Sequence, residues 1–306
     1  MTSYIVRRIL ALLPVALGVA TLTFALIHLT PGDPVVAMLG ESAAPADVAA
    51  MRHELGLDRP LWRQYLSFLD GIAHGDLGTS IAMHEPVTRL IWQRYPATLE
   101  LAGAGLVVAI IVAFPLGVIA GANPGGIGDI GAMGFAILGI SVPHLYLGPL
   151  LMIVFSLDLG LLPLTGRGGL SHLVLPAITL GTALAAIVAR MLRQSVVQTL
   201  ETDYMRTARS KGLTPMAALM RHGLRNALTP VITLLGLQAG ELLTGSIVTE
   251  IIFSWPGLGR LLITAISARD YPLVEGCVLT FALSYVVVNM LTDLLYRFVD
   301  PRIRLR

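Results

Sequence analysis

Four stretches of this chain carry no charge over the full thickness of a bilayer's interior. No Asp, Glu, Lys or Arg lies between Arg8 and Asp33, Glu100 and Asp129, Asp129 and Asp158, or Arg167 and Arg190. Each run exceeds the roughly 20 residues that a helix, rising about 1.5 Å per residue, needs to cross the hydrocarbon core. Two further apolar stretches, from about Thr229 to Phe253 and from Val274 to Leu295, carry embedded acids. Composition agrees, because charged residues make up 13% and hydrophobic residues 55% of the 306. A soluble domain carries about 25% charged residues, so the polar supply is too small to coat a water-soluble globule. The expectation is an all-α, polytopic integral membrane protein with six transmembrane helices. Cys277, the single cysteine, excludes an internal disulfide or a cysteine-based metal cluster.

Basic residues set the expected orientation. Arg7, Arg8, Arg190, Arg193, a basic loop near 203–225 and Arg297, Arg302, Arg304 and Arg306 fall on one side, read as cytoplasmic together with both termini. The opposite side has fewer arginines, offset by acids such as Asp33, Glu41, Asp47, Glu54 and Asp58. The first apolar run is longer than the roughly 7–15 residues of a signal-peptide core, so it reads as a retained helix. The chain divides into 1–95, a first membrane helix with an external segment, and 96–306, a five-helix core. Within 1–95, "LGLDRPLWRQYLSFLDGI" reads as an amphipathic helix with Pro60 at its first position and Leu61, Tyr65, Phe68 and Leu69 as its apolar side. Glycines 103, 105, 117, 121, 131, 134 and 139 serve close helix packing, while Pro115 and Pro143 are possible kinks.

One polar stretch sits between two apolar runs: "DYMRTARSKGLTPMAALMRHGLRNALTP", from Asp203 to Pro230. It fits two short helices. Asp203 and Lys211 suit the positive and negative ends of the first. Gly212 supplies a left-handed stop, and Thr214 and Pro215 an N-cap and first position for the second. Thr229 and Pro230 repeat that device to start the fifth span. Met216, Leu219, Met220, Gly223, Leu224 and Ala227 follow helical spacing, and Arg221 and Arg225 share another face. A topology signal alone needs no caps and no fitted apolar face. The stretch, with its loop spanning about 193–228, therefore reads as a docking element for a soluble cytoplasmic partner.

These residues resemble the "EAA" loop of bacterial ABC importer permeases, in the form of the dipeptide/oligopeptide/nickel group. The loop matches at Asp203, Tyr204, Arg206, Thr207, Ala208, Arg209, Lys211, Gly212, His222, Leu224, Arg225, Asn226, Ala227 and Pro230, and Arg221 joins them as a candidate coupling residue. "YIVRRI", "PGDP", "LGLDRPL", "GDLGTS", "PATLEL", "FSWPGLGRLL", "RDYP" and "DPRIR" extend the resemblance along the whole chain. Arg206 stands where the general pattern has an acid. The resemblance implies a type I importer permease whose loop enters a groove on an ATPase subunit. It implies a homologous second permease in a heterodimer, two cytoplasmic ABC ATPases, a solute-binding protein and a cargo of small peptides, with nickel complexes or glutathione as alternatives. This chain is then no enzyme and binds no cofactor. ATP and Mg would belong to the partners, and Lys211 indeed follows Ser210 and precedes Gly212, which is not a Walker A motif. Membrane lipid is its surrounding, and nothing points to nucleic acid.

Glu241, flanked by Gly240 and Gly245, falls mid-span. A charge there costs roughly 3 kcal/mol or more unless it meets water or a partner, so it reads as part of a translocation path. Glu250 and Asp293 lie near interfaces, and His28 and His144 read as hydrogen-bonded packing residues. The histidines form no metal-ligand spacing. Trp255, Pro256 and Gly257 border the outer gate by resemblance; an interfacial aromatic belt is the alternative. A self-sufficient secondary transporter or channel predicts inverted repeats or a selectivity motif, and a membrane enzyme predicts a catalytic motif. Neither signal is visible.

Overall fold

A computed structural model of the chain describes residues 14–25, 35–36, 43–54 and 56–299. Its described helices are Pro14–Ala25 (α1), Pro45–Glu54 (α2), Leu61–His74 (α3), Val87–Ala122 (α4), Ile127–Ser141 (α5), His144–Leu151 (α6), Leu170–Leu200 (α7), Asp203–Ser210 (α8), Pro215–Ala218 (α9), Leu224–Ile252 (α10), Leu258–Ser267 (α11) and Tyr271–Val299 (α12). Wider π-type turns at Met152–Asp158 and Leu219–Gly223 extend α6 and join α9 to α10. Four stretches are long and apolar enough to cross a membrane: Val87–Ala122, Leu170–Leu200, Pro215–Ile252 and Tyr271–Thr292. The pair Ile127–Ser141 and His144–Asp158 makes a fifth if it is one broken span.

The expected count of six is therefore four or five among the described residues. The expected first span is described only over Pro14–Ala25; its remainder lies outside the described residues, as do His28, Arg302, Arg304 and Arg306. The expected third span is not straight but bent by 104°. The cause is local. Pro143 offers no N–H and forces the residue before it out of the helical region; Val142 accordingly takes φ −92° and ψ 110°. Pro115, by contrast, lies inside α4 without a break. Nor does Thr229–Pro230 begin a new helix. Pro230 lies inside α10, and the Thr229 hydroxyl donates back to the Arg225 carbonyl at 3.4 Å instead of capping.

The described residues form two compact units, one of residues up to Thr98 with Pro256–Val286, the other of Leu99–Trp255 with residues from Val287 on. Pro256–Val286 thus joins the first unit, although a division at residue 95 places it in the core.

In the first unit, Pro60 precedes α3 as its N-cap rather than opening it, and Gly75 ends it at φ +74°. Tyr65 and Phe68 lie against Phe24, with ring centroids 5.3 and 6.0 Å apart, whereas Leu61 is 58% exposed. Thr98 Oγ1 accepts the Leu258 N–H at 2.7 Å and so closes the start of α11.

The second unit is organised on α7. Leu180, Leu184, Val188, Leu192 and Val196, four residues apart, are all buried. In lipid, apolar area alone does not drive helices together, and close van der Waals approach must do so. Glycines of α4 allow it: a Cβ at Gly117 would lie 2.7 Å from Leu192 Cβ, and one at Gly121 2.6 Å from Val196 Cβ. Gly105 and Gly139 also face α7, whereas Gly103, Gly131 and Gly134 have no atom within 4 Å of a built Cβ.

Candidate functional site

The polar stretch after α7 folds as a helical hairpin. α8 ends in a Schellman motif, with Gly212 at φ +92°. The Gly212 N–H donates to the Arg209 carbonyl at 2.9 Å and the Leu213 N–H to the Ala208 carbonyl at 3.4 Å, the paired bonds by which a left-handed residue closes a helix. Thr214 Oγ1 then accepts the Ala217 N–H at 3.3 Å, with Pro215 in the first helical turn. These are the caps expected from the sequence.

The hairpin has an inner and an outer surface. Met205, Ala218, Leu219 and Ala227 are at most 1% exposed, and a Cβ on Gly223 would meet Thr199 Cγ2 at 3.0 Å. Met216 and Met220, placed on the apolar face by spacing alone, are instead 43% and 50% exposed. The π-type turn at Leu219–Gly223 shifts the register and rotates them outward. Asp203, Tyr204, Arg206, Thr207, Arg209, Lys211, Gly212, Arg221, His222, Arg225 and Asn226 are exposed, and only Ala208 of the residues assigned to coupling turns inward. The Asn226 amide donates to the Tyr204 hydroxyl at 2.9 Å, tying α10 to α8. Arg209 reaches the Leu200 carbonyl at the end of α7. Arg206 meets Asp203 at 3.2 Å, an exposed pair of small energetic weight.

Where α7 approaches the hairpin, Arg193 grips Asp129 with Nε to Oδ1 at 2.5 Å and Nη2 to Oδ2 at 2.6 Å. Asp129 Oδ2 also accepts the Gly125 N–H at 2.8 Å, so the tight turn between α4 and α5 is held to α7. Sequence reasoning missed this pair, because the two residues stand 64 positions apart.

Glu241 is exposed in α10 and lines a cavity of about 220 Å³ with Gln238, His144, Leu180, Ile187 and Gly245. Gly240 is buried and does not line it. A Cβ on Gly245 would stay 3.6 Å from Leu180 Cδ1, an ordinary contact. His144 is hydrogen-bonded as expected, its Nδ1 2.8 Å from the Thr179 carbonyl oxygen. The bend at Pro143 also brings its ring to the Glu241 cavity, which no spacing rule for histidine anticipates. Glu250 is fully buried and accepts the Ser246 hydroxyl at 3.3 Å.

Trp255 is fully buried and so forms no exposed belt. Its N–H donates to the Glu250 carbonyl at 2.8 Å. The Arg167 guanidinium lies 5.9 Å from its ring centroid while pairing with Glu100 at 2.5 Å. Gly166 N–H reaches the Phe253 carbonyl at 2.8 Å. Pro256 begins the other unit, and Gly257 is the N-cap of α11.

Residues 113–305 match the profile of the binding-protein-dependent transport system inner membrane component, and residues 1–102 that of its N-terminal region. The chain belongs to that family. It is a permease, a multi-pass subunit of the inner membrane that works with ATPase and binding-protein partners. It is 43% identical over 336 aligned positions to the dipeptide transport system permease protein DppB of Escherichia coli K12, covering 99% of each chain. The glutathione transport system permease protein GsiC of Pectobacterium atrosepticum is 44% identical over 304 positions, again covering 99% of each. Among solved structures, inward-facing MetNI methionine ABC transporter matches with a TM-score of 0.57 at 18% identity, over 71% of this chain and 100% of that one. An amino acid ABC transporter matches with a TM-score of 0.53 at 18% identity, over 71% and 95%. At that identity the likeness establishes the ABC importer permease fold alone.

Proposed function

We propose that this permease moves small peptides, delivered by a solute-binding protein, inward across the membrane as half of a heterodimer with a homologous permease. The outer surface of the hairpin carries the reading. Tyr204, Met216 and Met220 lie exposed beside Arg206, Arg209, Lys211, Arg221 and Arg225, a mixed apolar and basic face on a rigidly capped base. Such a face fits a groove on a cytoplasmic ATPase, one for each permease. ATP and Mg are bound by those ATPases, and no cofactor resides on this chain. With the hairpin cytoplasmic, residues 7–8 and 302–306 share its side, and Pro31–Tyr95 faces outward. Trp255, Pro256 and Gly257 then border the outer end of the path, and Glu241 lines it.

Glutathione is the second reading: the glutathione permease is 44% identical over 99% of each chain, level with the dipeptide permease at 43% over 99%. The test is uptake into proteoliposomes holding the permease pair, the ATPases and the binding protein. Alanyl-alanine and glutathione are each supplied with ATP inside or outside the vesicles. Accumulation of either peptide, dependent on ATP at the hairpin face, is expected. Uptake of neither, or uptake indifferent to ATP, overturns the proposal.

A further inference from the structure

The first unit carries a half-open cavity of about 340 Å³, separate in the chain from both the hairpin and Glu241. Three sequence motifs meet there: Arg59 from "LGLDRPL", Asp76 and Gly78 from "GDLGTS", and Tyr271 and Pro272 from "RDYP". Its frame is tightly specified. Asp270, fully buried, accepts the Ser80 hydroxyl at 2.5 Å and the Ala82 N–H at 3.1 Å. It also accepts the Leu273 N–H at 3.3 Å in the first turn of α12. A Cβ on Gly71 would lie 2.6 Å from the Asp76 carbonyl oxygen, so only glycine lets α3 approach that loop.

The walls carry both signs of charge from different elements. Arg59 and Arg63 come from the approach to α3 and its first turn; Asp76 follows α3, and Glu275 belongs to α12. Among the described residues no ion pair joins any of these four. Arg63 lies 5.1 Å from the Trp62 ring centroid. Asp76 Oδ1 accepts the Gly78 N–H at 2.9 Å. Glu275 is half-buried, and a partly desolvated carboxyl group keeps its charge best when a cation meets it. Arginines and acidic side chains that line one cavity without pairing with one another are complementary to a ligand that carries both charges itself.

We propose that this cavity binds a small zwitterion, its acidic group on Arg59 and Arg63 and its primary ammonium on Asp76 and Glu275. The volume lies at the lower end of the roughly 300–1,000 Å³ of small-molecule sites, which suits a ligand of dipeptide size. Two sources carry that chemistry, a free short peptide and a phosphatidylethanolamine headgroup. The inference rests on the small-peptide reading only in its choice of probe.

The test uses the full chain with its partner subunits in phosphatidylcholine nanodiscs, without binding protein. Glu241→Gln is present throughout, so that the α10 cavity adds no charged site. Calorimetry with alanyl-alanine should give saturable binding. N-acetyl-alanyl-alanine and alanyl-alanine amide, each lacking one charge, should bind about tenfold more weakly or worse. Arg59→Gln and Glu275→Gln should each weaken alanyl-alanine to a similar degree. Ser67→Trp, which fills the cavity from the exposed side of α3 without changing charge, should abolish binding while the thermal midpoint is kept. Absent binding, or binding untouched by all three substitutions, overturns the site. Displacement of alanyl-alanine on adding phosphatidylethanolamine assigns the headgroup as the occupant, and no displacement assigns the peptide. Uptake of alanyl-alanine is read separately, in proteoliposomes that hold the complex with Glu241 intact, the binding protein and ATP. Uptake without binding sinks this site alone, whereas binding without uptake sinks the peptide-cargo reading and leaves the site standing.

Discussion

Arg193 holds Asp129 in a bidentate grip, Nε to Oδ1 at 2.5 Å and Nη2 to Oδ2 at 2.6 Å, with the Asp129 side chain 6% and the Arg193 side chain 28% exposed. Ten residues after Arg193 the hairpin begins at Asp203. The pair therefore fixes the α4–α5 turn to the helix that carries the hairpin. Asp129→Asn keeps the size and removes the charge, leaving a guanidinium only partly able to reach water. Breaking a buried pair costs about 3–5 kcal/mol, and the partial exposure of Arg193 reduces the expectation to about 1–3 kcal/mol. Thermal unfolding in detergent should register the loss. Adding Arg193→Gln should cost less than the sum of the two single changes; strictly additive losses would mean that the contact carries no coupling.

The left-handed stop gives a second prediction. No atom lies within 4 Å of a Cβ built on Gly212, so the obstacle to substitution is the φ of +92° alone. Valine should pay about 1–2 kcal/mol there, while asparagine tolerates the region far better. Gly212→Val is expected to insert in the membrane but to lose ATPase association or cargo-stimulated hydrolysis, and Gly212→Asn to keep most of both. Normal coupled hydrolysis in the valine variant would remove Gly212 from the coupling mechanism.

What could be read from the sequence followed the range of each physical signal. The caps at Gly212, Thr214 and Pro215 are local, acting over a few residues, and all three stand as expected. Pro143 was legible as a possible kink, but a bend of 104° depends on what receives the broken ends, and Pro115 in α4 gives the same local signal with no break. Met216 and Met220 failed because a period of 3.6 residues assumes an unbroken α-helix, and the π-type turn at Leu219–Gly223 resets it. The Asp129–Arg193 pair and the meeting of Arg59, Asp76 and Glu275 are tertiary, and no spacing rule joins positions so far apart.

The glycines of α4 and α5 make a paired prediction. Gly121→Ala places a Cβ 2.6 Å from Val196 Cβ and 2.9 Å from the Arg193 carbonyl oxygen, neither of them a flexible side-chain end. Overpacking of that kind costs about 1–3 kcal/mol. Gly131→Ala meets nothing within 4 Å and gains helix propensity, about 1 kcal/mol at most. The thermal midpoint of the purified chain should fall for the first and hold or rise for the second. Equal shifts would show that α4 does not approach α7 closely.

The final prediction concerns Glu241. Its carboxylate lines a cavity of about 220 Å³ whose other polar side chains are Gln238 and His144, so among the described residues no lysine or arginine lines it to neutralise the charge. Keeping a charge at mid-span costs roughly 3 kcal/mol or more unless water or a partner meets it, and the amino terminus of a peptide in transit is such a partner. Glu241→Gln preserves size and hydrogen bonding and deletes the attraction. Transport of alanyl-alanine should fall about tenfold or more if one charge-assisted hydrogen bond is lost. Assembly, and the affinity of the separate binding protein for its ligand, should not change. N-acetylated peptide offers the matching probe: its already poor transport should be indifferent to the substitution. If Glu241→Gln carries both peptides at wild-type rates, the carboxylate serves only to hold α10 in place.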